Sequence, residues 1–143
     1  MSRGTVDIVR RSLAAFARGD FDTAFEAHDP AIEWCTAADE PDSQTYRGIT
    51  GLHRFVESLQ ELWEGRFDDL VVFEDFIDRG DWVVVPWRSQ LRGRTSGITV
   101  EVSETYAVLV RDGKIVRVEE YRHTDDALAR VDGIASGAHA EQS

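Results

Sequence analysis

Two acidic residues, a tyrosine and an arginine share one row of the last two predicted strands. In "ITVEVSETYAVLVR" and "KIVRVEEYRH" the even positions hold valines and the odd positions hold charges: Val108, Val110, Val116 and Val118 against Arg111, Arg117 and Glu119. A sheet with one buried face turns the apolar row inward. That row continues to Glu104 and Tyr106 on the first strand and to Glu120 and Arg122 on the second. All four are therefore expected at the wider end of an internal pocket.

The turn "RDG" between these strands decides which residues face each other. Two residues that face each other across a strand pair point to the same side of the sheet. A two-residue turn would pair Arg111 with Lys114, an odd with an even position, and would therefore place the apolar rows of the two strands on opposite sides. A three-residue loop with Gly113 at positive φ, forming a bulge, restores the match. In that register Glu104 lies opposite Glu120.

Paired carboxylates of this kind can carry general acid–base chemistry. Two close carboxylates do not both ionise cheaply, so we expect the pKa of Glu104 or Glu120 to rise and Arg122 to oppose that rise. A carboxyl group tuned in this way suits proton abstraction or enol protonation near neutral pH. In the alternative interpretation both acids lie in solvent at the pocket mouth, Arg122 is an ion-pair partner, and Tyr106 is a core tyrosine with a satisfied hydroxyl.

The elements that must position this row are three helices followed by four long strands. Helical spacing predicts helices in "TVDIVRRSLAAFARGD", "FDTAFEAH" and "ITGLHRFVESLQELWEG", with Gly19 ending the first and Asp20 capping the second. Strands are predicted in "AIEWC", "RFDDLVVFEDFID", "DWVVVPWRSQLRGR" and the two segments above, and "TDDALARV" predicts a short closing helix. This order indicates an α+β fold in which helices pack on one face of a curved antiparallel sheet and leave a conical pocket. We expect one domain over residues 1–132 and a flexible tail over residues 133–143.

The stretch "PAIEWC" places a carboxylate, an indole and the single cysteine of the chain side by side. As a strand it puts Ile32 and Trp34 on one face and Glu33 and Cys35 on the other. The apolar pair is cheaper to bury, so Trp34 is favoured as the pocket-facing residue, with Glu33 and Cys35 as the alternative. Cys35 has no evident histidine partner in the sequence, which favours a buried, inert thiol.

Composition excludes several classes of function. A formal net charge of -11 argues against nucleic acids and anionic membranes as partners. The sequence has no CxxC or HExxH spacing for a metal and no Gly-rich phosphate loop for a nucleotide, so neither a metal nor another cofactor is expected. It also has no apolar segment long enough for a bilayer and no signal-peptide pattern, which favours a cytoplasmic location.

Four segments in a fixed order resemble a known family. They are "FARGDFDTAFEAHDPAIEW", "YRGITGLHRFVESL", "DRGDWVVVPWR" and "RDGKIVRVEEYRHTDDALA", and they lie within residues 6–131, the part of the chain that the resemblance covers. The chain resembles the SnoaL-like branch of the nuclear transport factor 2-like superfamily, which includes ketosteroid isomerases and polyketide cyclases. The resemblance implies a cone-shaped sheet wrapped around the N-terminal helices, the cystatin-like α+β barrel. It does not by itself specify an activity, because this fold carries several.

The resemblance also implies roles for individual residues. The oxyanion-hole acid of the isomerases falls at Tyr106, which can donate a hydrogen bond to a developing enolate, and a pocket aromatic falls at Trp87. The helix-one tyrosine of that hole falls at Ser12, a shorter and weaker acid. The isomerase's catalytic aspartate falls at Cys35 or, with a shift of one residue, at Thr36, so no carboxylate stands there. The full expected ligand-binding set is Ser12, Phe16, Trp34, Phe55, Trp63, Val85, Trp87, Val118 and Arg122, beside catalytic Glu104, Tyr106 and Glu120.

Three functions remain open at this point. The first is a cofactor-independent isomerase, cyclase or dehydratase that acts by acid–base chemistry on an apolar or aromatic carbonyl compound. The second is a binding protein with the same pocket and no turnover, and the third is a dimeric interaction module with a vestigial pocket. The outer sheet face mixes small, aromatic and arginine side chains, which predicts a homodimer through that face. Its expected members are Trp82, Val84, Pro86, Arg88, Ser103, Thr105, Ala107, Leu109, Ile115, Arg117, Glu119 and Tyr121.

Overall fold

The computed structural model describes residues 2–38, 43–64 and 71–142. The helices are α1 (Ser2–Ala17), α2 (Phe21–Glu26), α3 (Gly48–Leu62) and α4 (Thr124–Gln142). The strands are β1 (His28–Cys35), β2 (Thr45–Arg47), β3 (Trp63–Glu64), β4 (Val72–Phe73), β5 (Ile77–Arg79), β6 (Trp82–Gly93), β7 (Thr99–Arg111) and β8 (Lys114–Tyr121). The predicted α+β class is confirmed.

One curved, open sheet holds all the strands. Its order is β2-β1-β8-β7-β6-β3, and β4 and β5 also pair with β6. Every neighbouring pair is antiparallel except β1 and β8, which run parallel. The single strand predicted in "RFDDLVVFEDFID" is instead two short strands, β4 and β5, and its first five residues lie outside the described residues.

The N-terminal helices form where the sequence predicts them. Val9 and Leu13 of α1 are buried one turn apart on the side that meets the sheet. The chain leaves α1 at Gly19, whose φ of 81° is left-handed. Asp20 then caps α2 by accepting a hydrogen bond from the backbone N–H of Thr23 at 3.3 Å. The helix stop at Gly19 and the cap at Asp20 are both as expected.

The β7–β8 hairpin differs from its predicted register. Its turn has two residues, because Arg111 pairs with Lys114, and both Asp112 (φ 52°) and Gly113 (φ 75°) are left-handed. The expected bulge lies further along β8. Val110 pairs with Ile115 and Leu109 pairs with Arg117, so Val116 is the extra residue. The positive φ of Gly113 was predicted correctly, and the three-residue loop was wrong.

The displaced bulge changes which side chains face inward and which residues are opposite. Ile115 is buried in the main core, and Val116 turns to the outer face, the reverse of the prediction. Beyond the bulge Val118 faces Val108. Glu120 therefore lies opposite Tyr106, not opposite Glu104.

Two apolar cores lie on opposite sides of the sheet. The larger one joins α1, α2 and α3 to the inner face. The smaller one joins α4 to the outer face, where Ala127 and Val131 pack with Trp82, Val84 and Leu109. Part of the face predicted to form a dimer is thus covered by the chain's own last helix. That helix is also longer than predicted, because it continues to Gln142 through most of the segment expected to be a tail.

Candidate functional site

A cavity of about 700 Å³ lies between the inner face of the sheet and helices α1 and α3. Phe16 from α1 and Phe55 and Leu59 from α3 form one side of it. Trp87 from β6 and Tyr106 from β7 form part of the opposite side. Because these side chains belong to the main core or pack against it, the cavity is continuous with the apolar interior of the fold.

Three ionisable side chains stand together on the sheet wall of this cavity. Glu104, Tyr106 and Glu120 all line it, and Tyr106 faces Glu120 directly across the β7–β8 ladder. Glu104 follows on the same row of β7 and faces Trp87 of β6. Neighbouring inward positions of two paired strands place their side chains within mutual reach. The sheet therefore groups two carboxyl groups and a phenol at one wall.

Glu120 is held by a tryptophan from another strand. Its residue is 9% exposed, and its Oε2 accepts a hydrogen bond of 2.7 Å from Nε1 of Trp34. Trp34 is 1% exposed and packs between Phe55, at 4.9 Å between ring centroids, and Tyr106, at 5.3 Å. An indole N–H donated to a carboxylate stabilises the charged form of the acid.

The phenol of Tyr106 remains protonated at neutral pH. Burial, followed by the negative charges of Glu120 and Glu104, raises the pKa of Tyr106 well above its usual value. A protonated phenol is a hydrogen-bond donor. This wall thus offers carboxyl groups that can exchange protons and a hydroxyl that can stabilise a developing negative charge.

Two buried polar atoms on β6 have no hydrogen-bond partner among the described residues. They are Nε1 of Trp87 and Oγ of Ser89. Trp87 lines the cavity, and Ser89 follows it on the same inward row. Unsatisfied buried polar groups cost about 1–3 kcal/mol each and are uncommon in native interiors, so Nε1 of Trp87 is a candidate donor to a bound ligand.

The other end of the cavity is lined by polar side chains, and those that the structure describes carry no charge. Nε2 of Gln44 donates to the hydroxyl of Tyr46 at 2.8 Å, and that hydroxyl and Oγ of Ser58 are 3.3 Å apart. All three residues line the cavity. The sequence does not predict these three residues, because the segment with Gln44 and Tyr46 has the composition of a loop and Ser58 is a polar position of α3. The pattern of hydroxyl groups gave no signal that could have found them.

The predicted site residues divide into two groups. Seven line the cavity: Phe16, Phe55, Trp63, Trp87, Glu104, Tyr106 and Glu120. Five of the predicted residues are not among the described residues that line it: Ser12, Trp34, Val85, Val118 and Arg122. Their positions explain why.

Each of the five has a different surrounding. Ser12 is buried between helices, and its Oγ donates to the carbonyl oxygen of Ala24 at 3.0 Å. Val85 and Val118 are buried in the main core, where helices cover the sheet closely. Arg122 comes after the end of β8 and is exposed. Trp34 lies behind the cavity wall, where it donates to Glu120 and packs against Tyr106 and Phe55.

Strand β1 settles the orientation that the sequence left open. Ile32 and Trp34 are buried, as favoured. Glu33 points to the outer face, where it forms ion pairs with Arg117 at 2.8 Å and Arg47 at 3.2 Å. Thr36 lines the cavity, but its hydroxyl is bonded to the backbone of Gln44. No carboxylate of β1 reaches the cavity among the described residues.

The residues that the structure describes bear on two features, a cluster of metal ligands and a membrane-spanning helix. Within them, no group of three or more His, Cys, Asp or Glu side chains is arranged to hold a metal ion. None of the helices in that part of the chain combines the length and apolar character that a bilayer crossing requires.

The sequence and the structure both match known proteins. A family model described as SnoaL-like domain matches residues 9–118. An uncharacterised protein of Mycobacterium tuberculosis is 27% identical over 116 residues, which cover 81% of this chain and 86% of the relative. A nuclear transport factor 2-like protein of Burkholderia thailandensis is 29% identical, with a TM-score of 0.74 over 90% of this chain and 96% of the other.

Two further solved structures share the fold at lower identity. TerC, co-crystallised with polyporic acid, is 22% identical, with a TM-score of 0.72 over 90% of this chain and 98% of TerC. A SnoaL-like protein of Jannaschia sp. CCS1, described as a putative polyketide cyclase, is 21% identical, with a TM-score of 0.70 over 90% of this chain and 92% of the other. At these identities the likeness concerns the fold alone.

Proposed function

Because the chain belongs to the SnoaL-like family, we propose that it binds an apolar carbonyl compound in the cavity and acts on it by acid–base chemistry without a cofactor. The reaction class is isomerisation, cyclisation or dehydration through an enol or enolate. The observation that carries this proposal is the grouping of Glu104, Tyr106 and Glu120 on one wall of a largely apolar cavity. Acid–base groups inside an apolar enclosure are the usual arrangement for this chemistry.

The three residues take distinct roles in the proposal. Glu120 removes a proton from the carbon next to the carbonyl group, because its carboxylate is buried and fixed by Trp34. The protonated phenol of Tyr106 donates a hydrogen bond to the oxygen on which negative charge develops. The proton that Glu120 takes up is then returned to another carbon of the enol in an isomerisation, or to the leaving hydroxyl in a dehydration, and the half-buried Glu104 relays it.

Features of the surrounding cavity support an aromatic ligand. Phe16, Phe55 and Trp87 provide broad apolar surfaces for rings. The polar end at Gln44, Tyr46 and Ser58 suits hydroxyl or carbonyl substituents. The co-crystal of TerC with polyporic acid is consistent with a small organic molecule in a cone of this fold.

Hydrogen–deuterium exchange of a simple ketone tests the proposal without knowledge of the natural substrate. 2-Tetralone is an enolisable two-ring ketone, and its exchange in D₂O is followed by proton NMR. We expect the protein to accelerate exchange, and Glu120→Gln and Tyr106→Phe each to lower the rate about 100-fold. Glu101→Gln, an exposed acid on the same strand, is the matched control and should leave the rate unchanged.

The same experiment decides between turnover and binding alone. Ligand binding, measured by quenching of tryptophan fluorescence, should persist in Glu104→Gln and Glu120→Gln. If 2-tetralone binds but the wild-type protein does not accelerate its exchange, the enzyme proposal fails in favour of a binding protein. Ser12 favours that second candidate, because its hydroxyl is engaged by Ala24 and a second oxyanion donor from α1 is therefore missing.

We also propose a homodimer through the part of the outer sheet face that α4 leaves uncovered. The supporting observation is that Pro86 and Arg88 on β6 and Ser103 on β7 lie outside the small core under α4. Sedimentation or light scattering at micromolar concentration should then give twice the chain mass of 16.1 kDa. A monomer mass would contradict the proposal.

A further inference from the structure

We infer that Trp34 is a positioning residue that fixes the Glu120 carboxylate in its charged form at the cavity wall. This inference rests on the proposed function and adds to it the group that prepares the base. It concerns a residue that does not itself line the cavity, so cavity shape alone does not reveal it.

The contact is short, buried and crosses between two strands. Nε1 of Trp34 on β1 donates to Oε2 of Glu120 on β8 at 2.7 Å, and the two residues are 86 positions apart in the chain. β1 and β8 are parallel neighbours in which Trp34 faces Val118, so Glu120 is one inward position further along β8. A protonated carboxyl group also keeps an acceptor oxygen, but an N–H donates more strongly to a carboxylate, so the contact favours the charged form of Glu120.

The packing around Trp34 fixes the direction of its N–H. Phe16 stacks on its ring at 6.1 Å, Phe55 lies at 4.9 Å, and Tyr106 meets it edge-on at 5.3 Å. A side chain held on several sides loses little further freedom when it donates a hydrogen bond, so the donor is preorganised. A tryptophan with a purely structural role would need only the ring contacts. Its N–H could then donate to any nearby acceptor, such as a backbone carbonyl oxygen.

The other charged and titratable groups near the pair come from three elements. Tyr106 and Glu104 face Glu120 from β7. His28 on β1 stacks against the far side of Trp34 at 6.5 Å, and burial lowers its pKa to about 4. Arg122 follows just beyond the end of β8. A test based on pH must therefore separate Glu120 from His28 and Glu104.

Nuclear magnetic resonance of the indole N–H groups measures the contact directly. The chain has four tryptophans, so ¹⁵N-tryptophan labelling gives four indole signals. Trp34→Phe identifies the Trp34 signal; if that variant does not fold, replacing the other three one at a time identifies it by elimination. We expect the signal to lie downfield and to follow pH with a single midpoint, as expected for a hydrogen bond to a carboxylate.

Three substitutions then show which group the signal follows. Glu120→Gln should abolish the pH dependence, whereas Glu104→Gln and His28→Gln should keep it. Trp82, which packs on the outer face, is the internal reference and should not move in any of the three. A Trp34 signal that Glu120→Gln leaves unchanged in a folded protein overturns the inference.

A second measurement links the contact to the reaction. In Trp34→Phe the acidic limb of the exchange rate of 2-tetralone should move up by about one pH unit, because the charged form of the base has lost a donor. The KM for the ketone should change less than about twofold, since the lost contact concerns the base and not ligand binding. An unshifted acidic limb overturns the inference. If the wild-type protein does not accelerate exchange at all, the proposed function fails, and the resonance experiment still decides the role of Trp34.

Discussion

Glu119 and Glu120 are adjacent buried glutamates that face opposite sides of the sheet. The Glu119 side chain is 7% exposed on the outer face and accepts hydrogen bonds from Nε of Arg117 at 2.6 Å, the hydroxyl of Tyr121 at 2.7 Å and Nε of Arg130 at 3.2 Å. Glu120 accepts one from Trp34 on the inner face and lines the cavity. The first is surrounded by cations, and the second by aromatic rings and other ionisable groups.

This difference shows that burial of an acid does not identify a functional residue. Burial alone would raise the pKa of Glu119, but hydrogen bonds from Arg117 and Tyr121 outweigh it and hold that pKa below its usual value. Glu119 is therefore a fixed anion that ties α4 to the sheet through Arg130. A functional acid must also be accessible to a ligand. Glu120 borders the cavity and is accessible in this way, whereas Glu119 is not.

Replacing each of the two glutamates in turn should give the largest difference between the two faces. Glu120→Gln lowers the exchange rate of 2-tetralone about 100-fold and changes stability little, because an amide fits the same space. Glu119→Gln leaves exchange unchanged but lowers the free energy of unfolding by about 2 kcal/mol, since Arg117 and Arg130 each lose a buried charged partner. Exchange kinetics and urea denaturation measure the two effects. Equal losses of rate in both variants would remove the distinction between the faces.

Acidification should lower the free energy of unfolding through groups on both faces, but in a different pH range for each face. The pKa of His28, on the inner side, is lowered by burial from 6.5 to about 4, so the folded state binds its proton less well than the unfolded state does. The contribution of His28 to the free energy of unfolding is complete above pH 6.5 and falls by about 2 kcal/mol between pH 6.5 and 5. The pKa of Glu119 is lowered from 4.5, so its contribution is complete above that value and falls only at lower pH.

Substitution of the histidine isolates the first range. His28→Gln keeps a donor for the carbonyl oxygen of Ala24 and should flatten the loss of stability between pH 6.5 and 5. The matched control is His53→Gln on the exposed side of α3, which should leave the loss in place. Urea denaturation at a series of pH values measures both. An unchanged slope in His28→Gln would show that another group titrates in this range.

The smallest expected effect concerns Tyr121 of the outer cluster. Tyr121→Phe removes the 2.7 Å hydrogen bond to Glu119 and should cost about 1 kcal/mol of stability, with exchange unaffected. Its inner counterpart Tyr106→Phe is expected to lower exchange strongly. Thermal or urea denaturation measures the first effect, and a loss of exchange in Tyr121→Phe would show that the outer cluster acts on the cavity.

The element types and the inward rows of the sheet were predictable from local pattern. Alternating valines placed Val108 and Val118 inward, and the cost of burying polar groups placed Trp34 inward and Glu33 outward. The register across the last hairpin was not predictable, because the sequence required a bulge but did not fix its position. The tight Asp112–Gly113 turn moved the bulge to Val116, and this brought Tyr106 opposite Glu120.

The site residues were predictable where the alternation of side chains along a single strand decides which face a residue occupies. Glu104, Tyr106 and Glu120 could be assigned to one wall because alternation along β7 and β8 suffices for that. Arg122 could not be excluded, because β8 ends two residues earlier than its pattern indicated. Nor could the polar end at Gln44, Tyr46 and Ser58 be found, because it joins two elements whose relative position is not encoded in either alone.

By itself the sequence determined the α+β class, the family and the residue types that the inner face carries. Period-two alternation and apolar burial are local properties, and they act on every strand before any strand is paired. Only the tertiary structure decided that Trp34 meets Glu120, that Arg130 meets Glu119, and that α4 covers part of the outer face. These contacts join segments far apart in the chain, so they depend on strand order, register and the site of the bulge.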